Sequence, residues 1–190
     1  MYDYDVVCIG GGPGGSASAM RCADRGKKVA IIEARARNGS GGTCVNRGCI
    51  PTKALMASAN LYASIKEAKT YGINVDMSAV SVDFKAIDKR KNAVINGLGF
   101  GLEAMRWKKS RGIDVIKGRA RHLDAHTIEV DNGKVKKTVT AENIVVAVGS
   151  EPAEIAAFNV DHKKVITSNE IMDFSRPMPG SIVIIGSGAI

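Results

Sequence analysis

Cys44 and Cys49 stand in the run GGTCVNRGCIPTK, residues 41–53, between a glycine pair and an expected helix start. Two thiols this close in a chain can carry an electron pair by making and breaking a disulfide. On a regular helix, residues five positions apart point about 140° away from each other, and a disulfide needs Cα atoms within about 7 Å. The segment is therefore expected to be distorted or extended, which Gly41, Gly42 and Gly48 make sterically cheap. Pro51 suits the first turn of a helix that runs on through ALMASANLYASIKEA. Cys49 would then lie at the positive end of that helix, where the dipole and nearby Lys53 favour a thiolate. The competing reading makes both cysteines small buried hydrophobes. No second cysteine pair or nearby histidine completes a ligand set, so no metal site is expected. Spacing alone leaves the redox and packing readings both open.

The elements that would hold something against those sulfurs begin at the N-terminus. YDVVCI at 4–9 reads as a strand, SASAMRCADRG as a helix closed by Gly26, and KKVAIIE as a second strand ending on Glu33. Between strand and helix, Gly10, Gly12 and Gly15 supply G-x-G-x-x-G. Gly10 permits the tight turn, Gly12 lets the backbone approach a pyrophosphate, and Gly15 lets helix pack on strand, while the helix amides hold the anion. Glu33, about 20 residues on, can accept hydrogen bonds from ribose hydroxyls and favours an adenosine half without a 2′-phosphate. This fingerprint predicts a dinucleotide and does not separate FAD from NAD.

Further along, residues 52–70 are expected to form one helix and residues 82–112 a second. Within the second, the glycines of NGLGFG each cost about 1 kcal/mol against alanine, which predicts a kink, a break or a close backbone contact. IDVIKGRARHLD, HTIEVDNGKVKKTVTA and NIVVAVGS then change to the strand period. DNG at 131–133 signals a hairpin, so an antiparallel meander precedes a returning parallel strand. His122 and His126 lie in it without a carboxylate or cysteine at ligand spacing and read as surface histidines. SIVIIGSGAI repeats the opening pattern, with Gly186 and Gly188 as the start of a second fingerprint.

The chain has 190 residues, enough for one domain or one plus the start of another, and 45% of them are hydrophobic. No apolar run reaches membrane-spanning length, and Met1 leads almost directly into a strand, so no signal or transit peptide is expected. With four cysteines, two of them (Cys8 and Cys22) placed in the first strand and helix, a disulfide scaffold is not expected. These features place the chain in a bacterial-type cytoplasm, away from membranes. The formal charge of +8 raises nucleic acid as a partner. Much of that excess sits at Lys85, Lys89, Arg90, Lys91, Arg106, Lys108, Lys109 and Arg111. Among them Phe84, Ile87, Val94, Leu98, Leu102 and Met105 recur at helical spacing, so a solvated helix face is expected and no nucleic acid.

The run GGTCVNRGCIPTK resembles the redox-active motif of the pyridine nucleotide-disulfide oxidoreductases, G-G-T-C-x-N-x-G-C-[IV]-P-[SK]-K. Every fixed position matches except the one before Lys53, where Thr52 replaces the usual serine, and Ile50 and Thr52 favour the lipoamide branch of the family. The resemblance implies an α/β fold, a Rossmann-like FAD-binding domain with a central parallel sheet and a β-meander over residues 1–150. A connecting segment over 151–180 and the first strand and turn of a truncated NAD-binding domain over 181–190 would follow. It implies FAD on the first fingerprint, Cys44 and Cys49 as the redox disulfide beside the flavin, and NAD as the second cofactor in the full-length enzyme. Gly42 and Thr43 would contact the pyrophosphate region, Lys53 the flavin, and Gly118 and Ala120 the adenine. IVVAVGSEP matches the signature A-T-G-S-x-P with Val148 for threonine, and Gly149 is kept. The implied partners are a dihydrolipoyl group on an acyltransferase or carrier protein and a second copy in a homodimer. The family's remaining NAD domain, dimerisation domain and His-Glu base fall outside the 190 residues, so the chain alone is expected to show little lipoamide turnover. A glutathione- or mercuric-reductase type, or a flavin-binding module without turnover, are the rival readings.

Overall fold

In a computed structural model of the chain, residues 1–34, 41–97, 109–174 and 177–188 are described. They fall into two compact units, one of Met1–Gly48 with Ile95–Ser150, the other of Cys49–Val94 with Glu151–Ile190.

The first unit starts with β1 (Tyr4–Ile9), α1 (Pro13–Ala23) and β2 (Val29–Glu33). β1 and β2 pair in parallel, a geometry that needs a crossover, and α1 supplies it. β3 (Asp114–Lys117) adds beyond β2, and β6 (Lys136–Val146) lies on the other side of β1, both parallel. β4 (Arg119–His122) and β5 (Thr127–Asp131) complete the order β3-β2-β1-β6-β5-β4 with antiparallel pairs β4–β5 and β5–β6. The expected α/β sheet with a meander is thus present.

β3 and β4 stand at opposite ends of that order, yet only Gly118 separates them in the chain. They are one bent strand, paired with β2 before the bend and with β5 after it. β6 is shared in the same way: Lys136–Thr140 pair with β5, and from Ala141 onward it pairs with β1. KKTVTA and NIVV, which read as two strands in sequence, are therefore a single one. These two shared strands fold the antiparallel ribbon over the parallel sheet. Gly118 makes the bend with φ +151°, and a Cβ there would lie 2.6 Å from Val130 Cγ1 and 2.8 Å from the Asp131 carbonyl oxygen.

Strand periodicity sends alternate residues to opposite faces. Val7, Ile9, Ala30 and Ile32 meet Ile128, Val130, Val139 and Ala141 under the ribbon, while Val6, Cys8, Val29 and Ile31 pack with Ala19 and Ile113 on the face that carries α1. Burial on both faces explains why β1 and β2 read as continuous apolar runs. Cys8 is a packing residue, and burial, with Cys22 adding to it, pushes its thiol up to about 11. The 131–133 signal does mark the β5–β6 hairpin, with the Asn132 carboxamide oxygen accepting from the amides of Lys134 and Val135.

In the second unit, α3 (Cys49–Glu67) covers most of the expected 52–70 helix and a 3-10 turn, Ala68–Tyr71, finishes it. α4 (Phe84–Gly97), of which Phe84–Val94 belong to this unit, is the described part of the helix expected over 82–112. Gly99 and Gly101 of the glycine cluster lie outside the described residues, as do Leu98, Leu102, Met105, Arg106 and Lys108. One assignment is corrected. Lys91 belongs to no solvated face: it is 5% exposed, its ammonium donates to the Met172 carbonyl at 2.7 Å, pairs with Asp88 at 2.6 Å and lies over the Phe174 ring. The physical reason is its position on α4, four residues after Ile87 and three before Val94, on the apolar stripe itself. SIVIIGS joins no sheet among the described residues, and Ile182–Ile185 are exposed. A strand needs a neighbour for its backbone groups, and no described strand offers one.

Candidate functional site

β1 ends at Ile9 and turns at Gly10 next to Ala147, whose amide donates to the Ile9 carbonyl at 2.9 Å. Here the sheet order runs outward on both sides of β1, to β2 and to β6, which is where open α/β sheets leave a crevice for ligands. The glycines of the turn are dictated by backbone contact. A Cβ on Gly10 would sit 2.2 Å from the Ala147 oxygen, and one on Gly15 would sit 1.9 Å from the Gly10 oxygen. Gly12 then caps α1 with Pro13 at the first position and no side-chain cap. The first amides of α1 have no partner within the helix and can hold an anion.

Glu33 closes the back of this turn. Its Oε2 accepts from the Gly11 amide at 2.8 Å, and its carbonyl accepts from the Gly118 amide at 3.0 Å. Gly118 is buried, and half-buried Ala120 packs toward the core under the ribbon. So the fingerprint, the acidic end of β2 and the bend of the shared strand come together.

The cysteine segment joins the same turn. The Gly41 amide donates to the Gly11 carbonyl at 2.9 Å, and a Cβ on Gly42 would lie 2.8 Å from Gly12 Cα, so only two bare backbones can approach this closely. From Gly42, α2 (Gly42–Arg47) runs over buried Val45, and the Asn46 carboxamide donates back to the Gly42 carbonyl at 2.7 Å. α2 stops at Gly48, with φ −128° and ψ −111°, and α3 starts afresh at Cys49. The expected distortion of this segment takes the form of two helices in place of one. Cys44 is half-buried on α2, and Cys49 is exposed as the first residue of α3; no disulfide joins them in this structure. Thr43 and Lys53 are exposed, Lys53 one turn into α3.

Other expected site residues are not drawn into this cluster. Gly149 is exposed two residues after Ala147, and Val148 is 68% exposed. Gly186 and Gly188 are exposed in the second unit, and a Cβ on either would meet nothing. Sequence reasoning passed over Gly11 and Ser16. The Gly11 carbonyl accepts from Ser16 Oγ at 2.9 Å as well as from the Gly41 amide, and a serine directly after the last fingerprint glycine was the available signal. Among the described residues, no three metal-type side chains gather and no helix is long and apolar enough to cross a membrane.

The residues present fit a dinucleotide. A glycine cradle that a Cβ would fill meets a helix start, with a carboxylate beside it and the helix that carries Cys44 docked on its rim. Comparison with known proteins agrees. Residues 4–190 match the family described as pyridine nucleotide-disulphide oxidoreductase. A dihydrolipoyl dehydrogenase of Bacillus subtilis (strain 168) is 36% identical over 99% of this chain and 40% of its own length. Dihydrolipoyl dehydrogenases of Geobacillus stearothermophilus and Chlamydia muridarum (strain MoPn / Nigg) are 34% and 35% identical over 99% and 98% of this chain, and 38% and 39% of their own lengths. The chain thus spans about two fifths of these relatives, 40% in the first case. With motif, fold and comparison in agreement, the chain belongs to the pyridine nucleotide-disulphide oxidoreductases.

Proposed function

We propose that this chain is the flavin-binding part of a dihydrolipoyl dehydrogenase, acting with FAD, NAD and the Cys44–Cys49 pair. The docking of α2 on the dinucleotide turn, through Gly41 on Gly11 and Gly42 on Gly12, carries this reading. It brings the helix that carries the first thiol against the glycine turn by backbone contact. In this reading Gly10, Gly12, Gly15, Gly42 and Thr43 hold the pyrophosphate, Glu33 the ribose, Gly118 and Ala120 the adenine side, and Gly149 the second flavin signature. Gly186 and Gly188 open an NAD site. When bound, the flavin supplies a two-electron acceptor that can pass a hydride on to NAD.

The chain's own work is thiol chemistry. A dihydrolipoyl thiolate attacks Cys44 Sγ of the disulfide, and the S–S bond breaks with the electron pair leaving on Cys49 Sγ. The second lipoyl thiol then attacks the mixed disulfide, releasing oxidised lipoamide and leaving Cys44 and Cys49 as a dithiol two electrons richer. In this reading Cys49, first residue of α3 with Lys53 one turn on, would hold a thiolate toward a bound flavin, favoured by the helix dipole and the lysine. Lys53 sets a positive charge where electron density gathers. The partners are a lipoyl-bearing protein and a second copy of the chain, in the cytoplasm.

The test is the absorption spectrum of the full chain with bound flavin, before and after mild reduction by dithiothreitol. A long-wavelength thiolate–flavin band is expected in the wild type and in Cys44→Ser, and its loss is expected in Cys49→Ser. Flavin absorption without such a band in any variant would overturn the redox assignment. Assays of the full-length enzyme with lipoamide, glutathione disulfide and mercuric ion distinguish the substrates, with lipoamide expected.

A further inference from the structure

Buried Gly11 is a joint with three connections: its amide donates to Glu33 Oε2 at 2.8 Å, and its carbonyl accepts both from Ser16 Oγ and from the Gly41 amide, each at 2.9 Å. Two of these lead to the nucleotide side, on β2 and α1, and the third leads to the residue that caps α2. The Gly11 N–H and C=O belong to the two peptide planes on either side of its Cα, so Glu33 holds the first plane, Ser16 holds the second, and the Gly41 amide meets a carbonyl whose direction Ser16 helps to set. Gly41 has φ +95°, and its carbonyl accepts from the Val45 amide at 3.2 Å, so this joint, together with the approach of Gly42 to Gly12, anchors the first turn of α2.

We propose that Ser16 is a positioning residue for Cys44: by holding the Gly11 carbonyl from the α1 side, its hydroxyl sets where α2 lies on the dinucleotide turn. The hydroxyl sits on a helix whose own backbone is already satisfied there, since the Ser16 amide donates to the Gly12 carbonyl at 2.9 Å. It therefore does no capping for α1 and bonds across to the loop. Loss of the hydroxyl leaves α1 intact and lets the Gly11 peptide, and with it Gly41 and the Cys44 turn, shift more freely. This rests on the proposed function only in giving the placement of Cys44 a purpose; the mechanical claim concerns the polypeptide.

The experiment compares wild type, Ser16→Ala and Ser16→Thr in the full chain stripped of flavin and reduced. Amide exchange is read at Gly41, alkylation by iodoacetamide at Cys44 by peptide mass, and the urea midpoint for global stability. Because alanine is the better helix former, Ser16→Ala is expected to leave the midpoint unchanged or raised. Exchange at Gly41 and alkylation of Cys44 should nonetheless quicken roughly two- to tenfold, the range of one ordinary hydrogen bond. Ser16→Thr, which keeps the hydroxyl, should restore both rates. Unchanged rates in Ser16→Ala, or faster rates that track a lowered midpoint in both variants, would overturn the proposal. None of these readouts involves flavin, so a missing thiolate–flavin band would sink the enzymatic reading without touching this one, and the reverse holds too.

Discussion

Gly15 shows how a single residue ties sequence to site: its missing Cβ is the space occupied by the Gly10 carbonyl, 1.9 Å from where that carbon would stand. Gly15→Ala must push α1 away from the turn, and overpacking against backbone has few ways to relax. The expected loss is about 3 kcal/mol in urea unfolding, with flavin binding lost alongside. Cys8 offers a second test, in alkali. Its folded value, raised by burial to about 11 against an ordinary 9.0, means that the unfolded thiol ionises first. Its contribution is full below pH 9.0 and is lost as pH rises toward about 11. The size is about 2 to 3 kcal/mol. Tyr4, pushed up to about 12 by burial and by the Asp114 carboxylate it donates to, adds a smaller loss in a window slightly higher, because solvent screens its hydroxyl. Cys8→Ala should start less stable but fall less between those two pH values, as read by urea midpoints measured at each pH. An equal fall in both proteins would exclude the buried thiol as the cause.

Among the elements, the shared strand β3–β4 depends on its bend. Gly118→Ala would put a Cβ into Val130 and the Asp131 carbonyl at a φ of +151° that alanine rarely adopts. The expected cost is about 3 kcal/mol, and amide exchange should quicken along β4 and β5 more than along β1. In the second unit, Lys91→Ala removes the donor to the Met172 carbonyl and leaves Asp88 without that partner. The expected loss there is about 2 kcal/mol, while Lys91→Met, which keeps the apolar stem, should recover part of it. Exchange in Cys49–Val94 and Glu151–Ile190 would report it, and a rise limited to Met1–Gly48 would contradict it. Element boundaries were largely readable beforehand: the βαβ start, the meander and the hairpin each carry a period or turn signal. Lys91 was not read correctly because its charge suggested solvent, while the carbonyl that accepts from it lies 81 residues away.

For the molecule as a whole, FAD bound only to the folded state should stabilise it by about 2.7 kcal/mol at a hundredfold excess over Kd. Slower exchange is expected within Met1–Gly48 and Ile95–Ser150, the unit that carries the cradle; no stabilisation at saturating FAD would contradict the cradle's assignment. What the amino-acid order determined alone is local: the βαβ start, the hairpin turn, where the fingerprint requires glycine, and that two thiols sit five positions apart beyond it. Those features follow from short-range sterics and periodicity, which act within a few residues. Only the folded chain decided that one strand serves two layers through Gly118, that the cysteine segment breaks into two helices at Gly48, and that Gly11 joins Glu33, Ser16 and Gly41. The first and third rest on hydrogen bonds and backbone contacts between residues remote in sequence, which spacing and composition do not record, whereas at Gly48 the glycines allowed a distortion and only the folded chain fixed its form.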